Sequence, residues 1–354
     1  MKTINECYYL ATFHNSFIRV AMVLVWENSK MEMRKENKIG KRIAVLGFAS
    51  LLLLSSVFAI QFTSLITESL KTWYVGPTVP PSYPDFASIQ EAINNASVMP
   101  GDIIEVLKNG TSPYYEYVVV NKSLTIRNYA GHQPIIDGKN TGTIVNITAS
   151  NVVFSGFKIQ NGWNGLCIYG SSSGNTIDSN TVLGIGYYGI LVGGLGNNSL
   201  NGNSVATTYG GGIFIVSPNN TLQNNLITGF NGYNFGVYSY YNQTIGTSNK
   251  VNGKPIYYLV DQYDKQVQLG AGYIAIVNSR NITVRNQGLS CNFQGLLVVN
   301  STNIYVEDSN FTKNYRGILL EDSTNSTIKN VKASYNIGGI DLSRFNNNTI
   351  IGNE

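Results

Sequence analysis

A glycine followed by an apolar–variable–apolar triplet returns along this chain at a nearly constant interval. That interval constrains the fold more than any other feature. The glycines are Gly142, Gly165, Gly189, Gly212 and Gly236, then Gly272, Gly295, Gly317 and Gly339. Their spacings are 23, 24, 23, 24, 36, 23, 22 and 22 residues. A second beat sets one apolar residue among asparagines, at Ile177, Leu200, Leu222, Ile328 and Ile350. Such units are too short for helical pairs, and their glycine, asparagine and β-branched residues favour strands and turns. The triplets alternate with period two, as strands with one buried face do. Two or three short strands in 22–24 residues make one coil of a parallel β-helix. At about 4.8 Å per coil, nine coils from Gly142 onward span roughly 40 Å.

The winding assigns positions. Leu166 and Ile168, Ile190 and Val192, Ile213 and Ile215, Leu296 and Val298, Ile318 and Leu320, and Ile340 and Leu342 should line one lumen. The flanking asparagines belong at corners, where positive φ is tolerated and side chains one coil apart form ladders. Cys167 and Cys291 fall about four coils apart, close to 20 Å at that spacing, whereas a disulfide needs Cα atoms about 6 Å apart. A solenoid also needs its ends covered. A capping helix is predicted over 86–96, with Ser88 and Glu91 spaced as a capping box and Phe86, Ile89, Ala92, Ile93 and Ala96 as its apolar stripe. No such lid follows the last repeat, which a truncated reading frame or a partner covering that end would explain, with self-association through the exposed C-terminal coil as one such cover. The 36-residue interval predicts a loop-out over 240–270. Eight of the 23 tyrosines lie between Tyr233 and Tyr273.

Before the repeats, Arg34, Lys35, Lys38, Lys41 and Arg42 precede an uncharged run from Ile43 to Phe62. Residues 31–62 therefore read as a secretory signal or, uncleaved, as a membrane anchor. Residues 1–30 read as an upstream extension, with Met31 or Met33 as the start. The β-helix occupies 73–354, placed outside the cell or on its surface. Charged residues make up 12% of the chain, about half the usual share. Asparagine supplies the missing polarity, with 40 residues between Asn94 and Asn353. Lysine and arginine are scattered without a basic stripe, which excludes nucleic acid as a partner.

Several stretches resemble the secreted right-handed β-helix proteins of archaea grouped as NosD-like, within the pectin-lyase-like superfamily. They are "DFASIQEAI" from Asp85, "PGDIIEV" from Pro100, "VVVNKSLTIRN" from Val118, "PIIDG" from Pro134, "NVVFSGFKIQN" from Asn151 and "VNGKPIYY" from Val251. The resemblance implies an all-β, single-stranded right-handed parallel β-helix. It also implies a superfamily that includes polysaccharide lyases, glycosidases and adhesins, and a link to periplasmic copper-site maturation.

Glycoside hydrolysis needs two carboxylates across the scissile bond, and lyase chemistry needs acidic oxygens for a cation beside an arginine or lysine base. The candidates for either are Glu321, Asp322, Asp341 and Arg316. Copper calls for His, Met or Cys, and after the leader there remain His132, Met99, Cys167 and Cys291. No metal site and no cofactor is expected. Outward positions after each glycine form an apolar band: Cys167, Leu191, Phe214, Tyr238, Ala275, Leu297 and Leu319, with Tyr169 and Tyr240 two residues further along. Phe214, Tyr238, Tyr240, Tyr257 and Tyr258 are the candidate ligand-binding residues. Trp163 with Tyr187, and Phe293 with Tyr315, read as stacking between coils. Sequons for N-glycosylation begin at Asn95, Asn109, Asn121, Asn146, Asn197, Asn219, Asn242, Asn281, Asn300, Asn310, Asn325 and Asn347. The expected role is a non-catalytic module that binds carbohydrate or a cell-surface protein. The alternatives are a polysaccharide lyase or glycoside hydrolase, or an accessory to copper-site maturation.

Overall fold

The computed structural model describes residues 70–77, 84–108, 111–207, 210–229, 232–344 and 346–354. Segments 1–30, read as an upstream extension, and 31–62, read as a signal or anchor, and the sequon at Asn109 lie outside them. From Lys71 to Glu354 the chain is one compact unit, a parallel β-solenoid of about 11 coils. Its first stack has three faces. Face A holds eight strands, from Thr72–Val75 to Thr244–Ile245; face C holds six, from Val118–Val120 to Tyr233–Val237. Face B is an 11-stranded sheet from Ile135–Asp137 to Gly338–Ser343, and it continues through the second stack. There it is joined by the five-stranded face D, Tyr263–Gln266 to Thr349–Ile351, and by the pair Gly288–Ser290 and Asn310–Thr312.

The alternation in each triplet decides what is buried. Ile190 pairs with Leu166 and Ile213, and Val192 with Ile168 and Ile215; all six are inaccessible to solvent. Ile340 and Leu342 lie on the last coil and are only partly covered.

The paired asparagines divide two tasks between them. In Asn197–Asn198, Asn219–Asn220 and Asn224–Asn225, the first residue takes φ near 55° (56°, 56° and 55°) and turns the corner. The second points inward and is buried. Asn198 Oδ1 accepts from the Asn175 amide at 3.0 Å, and Asn220 Oδ1 accepts from the Asn198 amide at 3.0 Å. A second ladder runs Asn180, Asn203, Asn225, Asn249. Each side chain satisfies a backbone N–H that the corner removes from the sheets, which is what a buried turn requires. In the second stack, serines take over one such corner, from Ser279 to Ser301 to Ser323.

Residues 240–270 do not loop out. They carry Thr244–Ile245, Lys250–Val251, Lys254–Val260 and Tyr263–Gln266, all hydrogen-bonded into the sheets. Val251 and Lys254 pair antiparallel across a two-residue turn, Asn252 (φ 48°) and Gly253 (φ 78°). The positive φ at both positions is what an Asn-Gly hairpin turn needs. The strands of face B therefore reverse direction at this hairpin while the sheet continues. Keeping the same hand of winding then requires the lumen to move to the sheet's other side. Ile256, Tyr258, Tyr273, Ala275, Leu297 and Leu319 join the core of the first stack, whereas Ile274, Ile276, Leu296, Val298, Ile318 and Leu320 form a separate second core. There are two lumens, not one.

This seam also corrects the register at Gly236. It pairs with Phe214, not with Gly212, because Phe235 lies opposite Ile213. The true step there is 22 residues, and Gly236 is glycine because a Cβ would meet that of Phe293 at 2.4 Å.

At the other end, the helix is shorter than 86–96. It runs Ile89–Asn94, with Ser88 as N-cap, and buries Ile89, Ala92 and Ile93. Asp102 organises the chain nearby, accepting from the Lys71 amide at 3.0 Å, Trp73 Nε1 at 2.8 Å and the Met99 amide at 3.0 Å. Burial by itself would raise its pKa, but these donors outweigh it and hold the carboxyl below its usual value. Asp137 is lowered in the same way, by Gln160, the Lys139 amide and Asn161 against its burial. Both groups ionise more readily folded than unfolded. Their stabilisation is complete above an unfolded carboxyl pKa of about 4 and is lost as pH falls through the lower folded values. Thermal melts from pH 7 to 2 should show a loss confined to the acid end, smaller in Asp102→Asn. An unchanged acid limb in that variant would refute this account.

Candidate functional site

The outer side of face C is where aromatic residues gather. In register along it lie Asn146, Cys167, Leu191, Phe214 and Gly236. The Phe214 ring stacks on Tyr188 (centroids 5.5 Å, planes 6° apart) and on Phe293 at 4.0 Å. Phe293 comes from the second stack and also meets Tyr233 at 5.2 Å and Tyr315 at 6.4 Å. The cluster thus bridges the two stacks. Offset and tilted ring pairs of this kind add about 0.5–1.5 kcal/mol each beyond area burial.

Two rims flank this floor. On one, the Tyr187 amide donates to the Trp163 carbonyl at 2.6 Å, so the two residues sit on successive coils. Their side chains are 64% and 65% exposed, and no ring contact joins them. Trp163 and Tyr187 are therefore not a structural stack. On the other rim, Tyr169 and Tyr238 occupy one outward column with Gly193 and Val216 between them, both half-exposed. Tyr238 takes the column position that the glycine spacing assigns to Tyr240, which lies beyond it, exposed, on the following turn.

The chemistry of this face is neutral. Cys167 is buried, and burial pushes its thiol up to about 11, against donors from Tyr169 and Thr143. Burial likewise raises Tyr188. Asn146 Oδ1 is buried without a hydrogen-bond partner. Rings, amides and hydroxyls without a carboxylate are equipped to hold a neutral, hydroxyl-rich ligand and offer no acid or base for proton transfer.

The remaining sequence candidates separate in space. Tyr258 is core: its hydroxyl donates to the Tyr241 carbonyl at 2.6 Å, and burial raises its pKa strongly. Tyr257 is half-buried against the second core, its hydroxyl on Gln268. Of the predicted apolar band, Ala275, Leu297 and Leu319 are sealed inside the seam.

The acidic candidates meet arginines. Arg316 Nε lies 3.0 Å from Asp341. Arg344 holds Asp322 with two donors, at 2.6 and 2.9 Å, and also reaches Glu321. Glu321 accepts in addition from the Tyr241 hydroxyl at 2.8 Å. The guanidinium of Arg344 holds the Asp322 carboxyl below its ordinary pKa. Each carboxylate is thus already neutralised, and Asp322 is driven away from the raised pKa that a general acid requires. Among the described residues, no three of His, Cys, Asp and Glu come together as a metal set.

The sequons at Asn95, Asn121, Asn197, Asn219, Asn242, Asn300, Asn310, Asn325 and Asn347 are exposed, while those at Asn146 and Asn281 are half-buried.

Comparison with known proteins places this geometry. Residues 136–269 match the family described as right-handed beta helix region, and residues 260–354 match that described as periplasmic copper-binding protein (NosD). The two matches overlap over residues 260–269, beyond the reversal at Asn252–Gly253. No curated protein matches the chain. Among solved structures it is similar to pectate lyase Pel9A, with 12% identity over 80% of this chain and 78% of that one and a TM-score of 0.44. It is similar to a GH136 lacto-N-biosidase from Eubacterium ramulus, with 10% identity, 87% and 72% coverage and a TM-score of 0.40. An alginate lyase from Paenibacillus sp. shares 12% identity over 79% of this chain and 95% of its own, with a TM-score of 0.36. Identities this low speak to the fold alone.

Proposed function

Because this chain is a NosD-like, pectin-lyase-like right-handed β-helix protein, we propose that it is a non-catalytic surface module that binds a polysaccharide along face C. The observation that carries this reading is the pair Trp163 and Tyr187. They stand two-thirds exposed on successive coils, opposite Tyr169 and Tyr238, with stacked rings between them. The C–H faces of a sugar ring lie well on such side chains, and amides and hydroxyls read the hydroxyl groups. The charged leader with its uncharged run supports a place outside the cytoplasm. The exposed corner asparagines would there be available for glycosylation.

The enzymatic alternative rests on Glu321, Asp322, Asp341 and Arg316, whose charges are already paired with one another or with Arg344. The copper association of the matched family meets no fitting donor set among the described residues. His132 Nδ1 accepts from the Lys108 amide at 2.8 Å, Cys167 is buried, and Met99 stands apart on the turn after the helix.

In a binding screen of the secreted fragment against neutral polysaccharides, Trp163→Ala and Tyr187→Ala should each weaken retention about tenfold, as loss of one central aromatic anchor does. Glu321→Gln should leave it unchanged. Turnover of any polysaccharide that is abolished by Glu321→Gln would replace this reading with the enzymatic one.

A further inference from the structure

Five arginines lie in the described residues, and four meet a carboxylate on a neighbouring coil: Arg127 with Glu105, Arg285 with Glu307, Arg316 with Asp341, and Arg344 with Asp322 and Glu321. Arg280 is the exception. Its register partners are Tyr263 on one side and Thr302 on the other. The guanidinium lies over the Tyr263 ring, 5.2 Å from its centroid, a cation–π contact that leaves its N–H donors unspent.

Arg280 and Tyr263 also line a shallow cleft of about 400 Å³ at the corner between faces B and D, with Asn278, Asn300, Thr302 and Asp322. Two columns bound it. Tyr263, Arg280, Thr302 and Thr324 follow one another on successive coils. The parallel corner column carries Asn278 and Asn300, joined at 2.8 Å, and Asp322. Asp322, the one carboxylate of this lining, is held on both oxygens by Arg344 and does not reach Arg280.

We infer that this cleft is a second binding site, selective for a saccharide bearing a carboxylate or sulfate group. Arg280 takes the anion through two parallel donors, and the Asn and Thr columns take the ring hydroxyls. The inference goes beyond the aromatic face and does not depend on it, since the cleft lies on the second stack.

The test uses the whole secreted fragment and three probes: hexuronate oligomers, the same oligomers with their carboxyls reduced to alcohols, and inorganic sulfate. Calorimetry at low salt should find the acidic oligomer bound at least tenfold more tightly than the neutral one, a preference that fades as salt is added. Arg280→Ala should abolish the preference, and Arg280→Lys should keep only part of it. Trp163→Ala should leave the preference intact even where it weakens neutral polysaccharide binding, so the two readings fail separately. No binding of the acidic oligomer, equal affinity for acidic and neutral oligomers, or a preference that survives Arg280→Ala would overturn the site. Inorganic sulfate binding as tightly as the oligomer would overturn its saccharide selectivity.

Discussion

Asn203→Ala should destabilise the solenoid by about 2–5 kcal/mol, far more than an exposed asparagine could. Asn203 is fully buried in the corner between faces A and B. Its Oδ1 accepts from the Asn180 amide at 3.1 Å and from Asn180 Nδ2 at 3.2 Å. Its own Nδ2 donates to the Ile177 carbonyl at 2.8 Å and to Asn225 Oδ1 at 3.0 Å. Alanine deprives one backbone donor and one backbone acceptor of these partners in a space that excludes water. Each stranded group costs about 1–3 kcal/mol. Because the ladder runs on to Asn225 and Asn249, the defect should also reach the coils on either side. Urea unfolding of the variant measures the loss, and amide exchange at Asn180 measures its spread. The exposed neighbour provides the contrast: Asn197→Gly sits at a corner with φ 56° and should cost little. A loss below about 1 kcal/mol for Asn203→Ala would show that the ladder is ornament, since that is the scale of one ordinary hydrogen bond.

Phe235→Ala should cost about 3–5 kcal/mol, as loss of a fully buried phenylalanine does, and should also divide the molecule. Phe235 meets Tyr273 edge-on at 4.9 Å across the seam. The Tyr273 hydroxyl donates to Gln294, which in turn donates to the Val237 carbonyl at 3.0 Å. These residues couple the first core to the outer side of the second stack. Solenoid stability is a sum of coil terms and neighbour interfaces, so weakening one interface exposes the two parts as separate folding units. The variant should unfold in two transitions, with the coils after Gly272 exchanging their amides ahead of those before Gly236. One coincident transition for both regions would refute a seam at Phe235.

Most of the coil architecture is legible in the sequence because each coil contacts only its neighbours. A period of 22–24 residues is then a direct record of one turn. Alternation shows which side chains enter a lumen, and doubled asparagines mark corners that need both a positive φ and an internal amide. The salt-bridge ladder is legible in the same way. Arg127, Arg285 and Arg344 each find an acid 22 residues away, while 22 residues either side of Arg280 stand Tyr258 and Thr302. Arg316 also lacks an acid at that spacing, with Gln294 and Gly338 there, and finds Asp341 25 residues on, so only the structure shows that Arg280 stays unpaired. The reversal had a signal too, since Asn252–Gly253 between two β-rich runs marks a hairpin.

What the period could not report is the side of the sheet on which a lumen lies. Tyr257, Tyr258, Leu259 and Val260 are apolar on both faces of their strand, so alternation is silent there, and a reversed strand spells the same pattern as a forward one. Only the three-dimensional pairing of Val251 with Lys254 decided that the chain turns back, that Leu297 and Leu319 are interior, and that Gly236 stands beside Phe214. The exposure of Trp163 and Tyr187 was decided the same way. The physical reason is that winding is a local property of each coil, whereas the packing of one stack against another depends on groups far apart in the chain.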